Sequence, residues 1–181
     1  KDSKNCHFCF DTDLGVENSK YLKDAGLNLK DSYDLSSGGT NAELLYEGEN
    51  IGLNGHRVFF SSAIWESSDV YYSRDCFNCT NIFGCTSLRD KQYCILNKQY
   101  TKEEYEKMLP QIMDHMNEMP HRDARGRIYR YGEYFPIEIS PFGYNETKAH
   151  EFFPLDAIQA DEKGYLWRER QERNYNITIS A

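Results

Sequence analysis

Apolar and polar positions recur every six residues through the middle of this chain. From Arg57 the sequence stacks as RVFFSS, AIWESS, DVYYSR, DCFNCT and NIFGCT without an insertion. The second column reads Val58, Ile64, Val70, Cys76 and Ile82. The third reads Phe59, Trp65, Tyr71, Phe77 and Phe83, and the fifth Ser61, Ser67, Ser73, Cys79 and Cys85. Before this run the spacing is looser, six or seven, with Cys6, Asp13, Ser19, Ala25 and Ser32 in one column and "KNC", "ENS" and "KDS" recurring ahead of it. The glycine-rich stretch from Ser36 to Gly55 breaks the register, which predicts a longer loop or a distorted coil there.

So short a period is below the length of any helical repeat unit and suits a parallel β-solenoid, in which short strands stack from coil to coil. Three sixes would close a triangular coil of about eighteen residues, as in hexapeptide β-helices. The expected fold is therefore mainly β. A solenoid, with right-handed winding the slight preference, spans residues 1–97, and a capping helix with a small aromatic-rich α+β subdomain spans 98–181. The Val/Ile/Cys column points inward, the Ser/Cys column marks a tight corner or a second inward position, and the aromatic column forms a ladder along one face.

Past the repeat, Thr101 and Glu104 spell a capping box at the start of a helix. Tyr105, Met108, Leu109, Ile112, Met113, Met116 and Met119 follow at helical spacing. Such a stripe is core before it is a partner groove, and Pro110 should kink or divide the helix. Residues 125–145 alternate around Gly126 and Gly132 and read as a small hairpin or irregular strands. Asn145–Phe153 and Leu155–Trp167 read as two short helices separated by Pro154, with Gly164 as a C-cap, and Asn174–Ser180 as a strand.

The net charge of -8 is uneven: residues 1–119 carry 12 Lys and Arg against 19 Asp and Glu, and residues 120–181 carry 9 against 10. An acidic solenoid is a poor phosphate binder. One basic patch remains, in which Arg122, Arg125, Arg127 and Arg130 are interleaved with Tyr129 and Tyr131. Arginine on phosphate and tyrosine on bases would make it a nucleic-acid contact; packing within a solvated hairpin is the competing reading. No run of about eighteen apolar residues occurs, so no membrane-spanning helix is expected. The sequence starts at Lys1 already in repeat-like residues, which reads as a piece of a longer protein.

Six cysteines are present. Cys6-x-x-Cys9 and Cys76-x-x-Cys79 each match half of a zinc site. The columns argue otherwise, because Cys76 stands where Val70 and Ile82 stand, and Cys79 where Ser73 and Cys85 stand. Free cysteine behaves as a small buried hydrophobe. The reading preferred here is core thiols, reduced in a cytoplasmic setting, with zinc on Cys6, Cys9, Cys76 and Cys79 second and disulfides third. The His121-Arg122-Asp123 triplet resembles a kinase motif but lacks that family's companion loops. His115, His121 and His150, with Asp114, Asp123 or Glu151, are candidate acid–base groups only if the fold gathers them. Carboxylates on a β-helix could serve glycoside cleavage, which needs two at a set separation. Triplets of the glycosylation type start at Asn78, Asn145 and Asn176.

The segments NCHFC, DCFNCTNIFGC and LRDKQYCILNKQYTKEEYEKM, with PIEISPFGYNETKAHEFFPL and KGYLWRERQERNY, resemble a family of uncharacterised proteins common in genomes of uncultivated bacteria. The likeness covers nearly the whole chain, most specifically Leu88 to Met108 and Pro136 to Trp167. It implies N-C-x-x-C repeat arrays with zinc-ribbon-like segments elsewhere in the protein, and no established activity. Ser19, Ala25, Ser32, Val70 and Ser73 depart from it, standing where cysteine is frequent. The expected function is thus a non-catalytic scaffold or binding module of a larger zinc-ribbon-containing protein, with a protein or nucleic acid as ligand. A carbohydrate-active β-helix enzyme and cysteine-based metal binding are the alternatives.

Overall fold

A computed structural model of the chain describes residues 2–169. The strand expected over Asn174–Ser180 and the triplet at Asn176 lie outside the described residues. Eleven strands, β1 (His7–Phe10), β2 (Lys20–Ala25), β3 (Leu29–Lys30), β4 (Tyr33–Thr40), β5 (Ala42–Leu53), β6 (His56–Trp65), β7 (Ser68–Tyr71), β8 (Arg74–Phe77), β9 (Thr80–Phe83), β10 (Gln92–Ile95) and β11 (Lys98–Gln99), form one sheet. Every pair is parallel except the closing β10–β11 turn. The protein is a β-solenoid of about seven turns.

The coil is shorter than the triangular one expected. Register pairs lie thirteen residues apart in the first coils, as in His7↔Lys20↔Tyr33↔Tyr46↔Phe59, and twelve apart later, as in Phe59↔Tyr71↔Phe83↔Ile95. The cause is backbone conformation. Nearly every third residue has φ between +45° and +68°. Each such left-handed residue turns the chain, so one hexad turns two corners and two hexads close a four-sided coil. The left-handed region costs an ordinary residue roughly 1–2 kcal/mol and Asn or Asp less. The corners are accordingly rich in Asn and Asp, among them Asn5, Asn18, Asp31, Asn54, Asp75 and Asn78. Stacked corners bond to one another: Asn5 donates to Asn18 (3.0 Å), and Asn18 donates to Asp31 (3.1 Å). The acidity of the first 119 residues is partly a consequence of turning corners.

The residue after each corner points inward. Buried Val16, Ser19, Leu22 and Ala25 supply the four sides of one coil, and Leu29, Ser32 and Leu35 follow in the next. Thirteen-residue coils carry one extra residue on the side that ends at Val16, Leu29 and Ala42. That insertion shifts the six-residue count, and Asp13, expected in the inward column with Ser19, is exposed. The glycine-rich stretch is not a loop; β4 and β5 run through it in unbroken register. Gly48 belongs there because a Cβ would sit 2.9 Å from Ile51 and 3.0 Å from Leu35. A missing side chain in one column makes room for large ones in its neighbours.

Two compact units divide the chain. The first holds the solenoid, helix α1 (Lys102–Glu118) and residues 128–135. The capping box forms, with Glu104 N–H donating to Thr101 Oγ1 (3.2 Å) and Thr101 N–H to Glu104 Oε2 (2.9 Å). Pro110 lies inside α1 without dividing it. The described part of the second unit, residues 122–127 and 136–169, contains α2 (Lys148–Phe152) and α3 (Ala157–Glu162), shorter than the two helices expected there. Gly164 follows α3 at φ +80°. The stretch expected as a hairpin or irregular strands carries one short strand, β13 (Ile128–Tyr129), which pairs with β12 (His121–Arg122) just ahead of it. Among the described residues no helix is long and apolar enough to cross a membrane.

Candidate functional site

The cysteines belong to the interior. Cys76, Cys79, Cys85 and Cys94 are buried inward residues, and all six cysteines are free thiols. Inward serines and cysteines share one hydrogen-bonding role. Each donates to the carbonyl two residues back: Ser73 to Tyr71 (2.9 Å), Cys79 to Phe77 (3.2 Å), Cys76 to Arg74 (3.3 Å). Each hydroxyl also accepts a backbone N–H from the next coil: Ser61 from Ser73 (3.1 Å), Ser67 from Cys79 (3.0 Å), Ser73 from Cys85 (3.0 Å). Cys85 Sγ accepts from Asn97 N–H in the same way (3.4 Å). Buried backbone groups require partners, and these small side chains provide them. Burial pushes the Cys76 thiol up to about 11 and raises Cys85 and Cys94, which disfavours the thiolate that a metal needs.

The proposed zinc set is not brought together. Cys6 and Cys9 face into the first coil and Cys76 and Cys79 lie five coils on, about 24 Å at ~4.8 Å per coil. Among the described residues no group of three or more His, Cys, Asp or Glu is arranged to hold a metal ion.

Two arginines of the basic patch, Arg125 and Arg127, are held by internal contacts. Arg127 N–H donates to Asp123 Oδ1 (2.8 Å) and its Nε bonds Oδ2; Arg125 N–H adds a third donor to that carboxylate (2.9 Å). Burial alone would raise the Asp123 carboxyl, but these hydrogen bonds hold it below the ordinary carboxylate range. Arg125 also reaches the carbonyls of Asp161 and Glu162. Arg122 lies against the Gly126 carbonyl (3.5 Å), and the Arg130 backbone N–H donates to Glu133 (2.8 Å). Tyr129 sits beside His121, and Tyr131 packs against Phe60 (6.2 Å) and Tyr72 (6.1 Å). His115 lies in the last turn of α1, while His150 lies edge-on to Tyr144 and Trp167. The three histidines occupy separate settings.

What the fold does assemble is an aromatic face. With two hexads per coil, the single expected ladder splits in two. On one side Trp65 stacks on Phe77 (4.8 Å), with the Arg89 guanidinium 4.2 Å over Phe77. On another, Tyr33, Tyr46, Phe59, Tyr71 and Phe83 stand in register, and the adjacent corner carries Phe8, Tyr21, Phe60 and Tyr72. The later coils of this second face are covered by the chain itself. Phe60, Tyr72, Phe83, Ile95 and Tyr105 form a buried cluster, with Met108, Leu109, Ile112, Met113 and Met116 of α1 and Tyr131 and Phe135 packed against it. Gly132 N–H donates to the Tyr72 hydroxyl (2.9 Å), which burial pushes up to about 12.

The early coils of the same face are bare. Phe8 is 66% exposed and Tyr21 54%, their rings stacked at 5.6 Å, and Tyr33 is also exposed. Where covered and bare halves meet stands Glu47. Its Oε2 is buried without a hydrogen-bond partner. Burial raises its pKa; the Tyr46 hydroxyl and Tyr134 N–H lower it, and Asp34 and Glu133 raise it further. Neither this face nor Glu47 stood among the candidates from sequence, although the aromatic column was visible there. No protein-family model, no curated protein and no solved structure matches the chain.

Proposed function

We propose that the protein is a non-catalytic binding module whose ligand is a segment of another protein, docked on the bare half of the aromatic face. The carrying observation is continuity. Tyr33 extends the ladder that runs through Tyr46 and Phe59 into the cluster covered by α1. The covered half shows which chemistry fits: an amphipathic helix with a stripe of Met, Leu and Ile. An occupant of the same kind, an apolar-striped helix of a partner, would bury Phe8, Tyr21 and Tyr33, and aromatic anchors of this sort carry most of the energy at interfaces. The nucleic-acid alternative has less support, because Arg125 and Arg127 already have internal partners. The carbohydrate reading is favoured only by Glu47, a raised carboxyl beside Asp34.

The test is photocrosslinking in the native cell from a benzophenone side chain placed at Tyr21, at Tyr33, or at the outward corner Asp75. One protein adduct of the same mass at Tyr21 and Tyr33, missing at Asp75 and lost with Phe8→Ala, is expected. Adducts equal at all three sites, or adducts to nucleic acid alone, would remove the reading.

A further inference from the structure

We propose that the chain pairs with a second copy of itself, antiparallel, along an edge of the solenoid other than the aromatic face. The docking reading above is not needed for it. The edge is the one where the early coils carry their extra residue, a position occupied by Leu14, Leu27, Thr40 and Leu53. These four stand one above another. Asn28 N–H donates to the Leu14 carbonyl (2.9 Å), Asn41 N–H to that of Leu27 (2.7 Å) and Asn54 N–H to that of Thr40 (2.9 Å). Leu14, Leu27 and Leu53 are 47%, 38% and 49% exposed, so they form an outward apolar ridge. Closing the coil does not require them, because His56 to Ser68 and Phe59 to Tyr71 close in twelve residues. Each extra residue costs about 1–2 kcal/mol of backbone ordering. What it yields is an exposed apolar side chain. Where the coils shorten, Glu66, Asn78 and Asp90 take the corner and the ridge ends.

Beside the ridge runs a column that alternates in sign. Glu17, Lys30, Glu43 and His56, cationic when protonated, are in register on successive coils. Lys30 Nζ lies 4.0 Å from Glu17 and His56 Nδ1 2.9 Å from Glu43, and all four side chains stay partly exposed.

The order of charges in this column selects the occupant. In a closed pair of identical chains one patch meets itself across a two-fold axis. Let that axis lie across the edge, midway between the Leu27–Lys30 coil and the Thr40–Glu43 coil. Ridge then packs on ridge and column on column, running opposite ways. Leu14 meets Leu53 of the partner subunit, and Leu27 meets Thr40 of the partner subunit. Lys30 meets Glu43 of the partner subunit, and Glu17 meets His56 of the partner subunit. Each charge then faces an opposite one along its own column and across the axis. An axis parallel to the solenoid would instead set leucines on charges. Four coils span ~14 Å, three steps of ~4.8 Å. Such an interface is small, and association of micromolar strength is expected.

Sedimentation velocity of the folded chain, from about 1 to about 200 µM, brackets that strength. The expected result is a shift from monomer to dimer with concentration. Lys30→Glu alone and Glu43→Lys alone should each stay monomeric, since each sets like charges across the axis twice. An equimolar mixture of the two variants should recover the dimer, because each then meets its opposite. An effect confined within one chain could not be repaired by mixing. Leu53→Ser, at an exposed corner, removes two leucine contacts per dimer and should weaken pairing about tenfold. Should a charge variant fail to fold by circular dichroism, Leu53→Ser carries the test. A monomer at every concentration would overturn the proposal. So would a dimer indifferent to Lys30→Glu and Leu53→Ser, or a mixture of folded variants that stays monomeric.

Discussion

Replacing Ser73 by alanine isolates the role assigned to the inward serines and cysteines. Ser73 is fully buried; its Oγ accepts from Cys85 N–H (3.0 Å) and donates to the Tyr71 carbonyl (2.9 Å). Alanine removes both bonds, with unequal consequences. The Tyr71 carbonyl keeps a second donor, Gly84 N–H at 2.9 Å. The Cys85 N–H loses its side-chain acceptor inside the solenoid. An unsatisfied buried donor costs roughly 1–3 kcal/mol, so the loss should be about 2 kcal/mol. Ser73→Cys keeps a donor and acceptor at the same place, as Cys85 does toward Asn97, and should stay within about 1 kcal/mol of wild type on the same scale. Urea unfolding followed by far-ultraviolet circular dichroism reads both, with an unchanged slope showing that the same surface is exposed. Equal stability of the alanine and cysteine variants would refute the reasoning, since it would mean that the column asks only for small size.

Gly52→Ala places a Cβ 1.7 Å from the Trp65 ring, so the Trp65–Phe77 stack must shift; a loss of ~1–3 kcal/mol and a changed tryptophan emission are expected. Glu47→Gln tests the half-buried carboxyl by its pH profile. The folded-state pKa lies above its ordinary value, so Glu47 favours folding in acid, and that contribution is lost as pH rises through the raised value. The glutamine variant should lose this pH dependence and gain stability near neutrality; parallel profiles would count against a raised carboxyl. Chelation should leave the melting temperature unchanged if the thiols are core groups, whereas a drop would restore a structural metal.

Much of the solenoid could be read from residues alone. The Val/Ile/Cys and Ser/Cys columns are both inward, and placing Cys76 among Val70 and Ile82 rightly made it a core residue. Coil size was not legible, because a period of six does not say how many corners six residues turn. The clue lay in Asn or Asp directly before the small inward residue, as in Asn5-Cys6, Asn18-Ser19 and Asp75-Cys76, a corner-then-core signature at spacing three. The extra residue of the early coils hid it. The Met-rich stripe was legible as core, but not its partner. The bare face was invisible because its boundary depends on Tyr131 and Phe135, which meet Tyr72 only after the chain has passed the solenoid. Arg125 and Arg127 looked available to phosphate because sequence does not display the carbonyls and the Asp123 carboxylate that take them.

The most direct test of the central claim is the crosslinking yield at Tyr21 compared with Asp75 in the native cell. The account predicts one protein adduct at Tyr21 that disappears with Phe8→Ala and is missing at Asp75. Equal labelling at the two positions would contradict it.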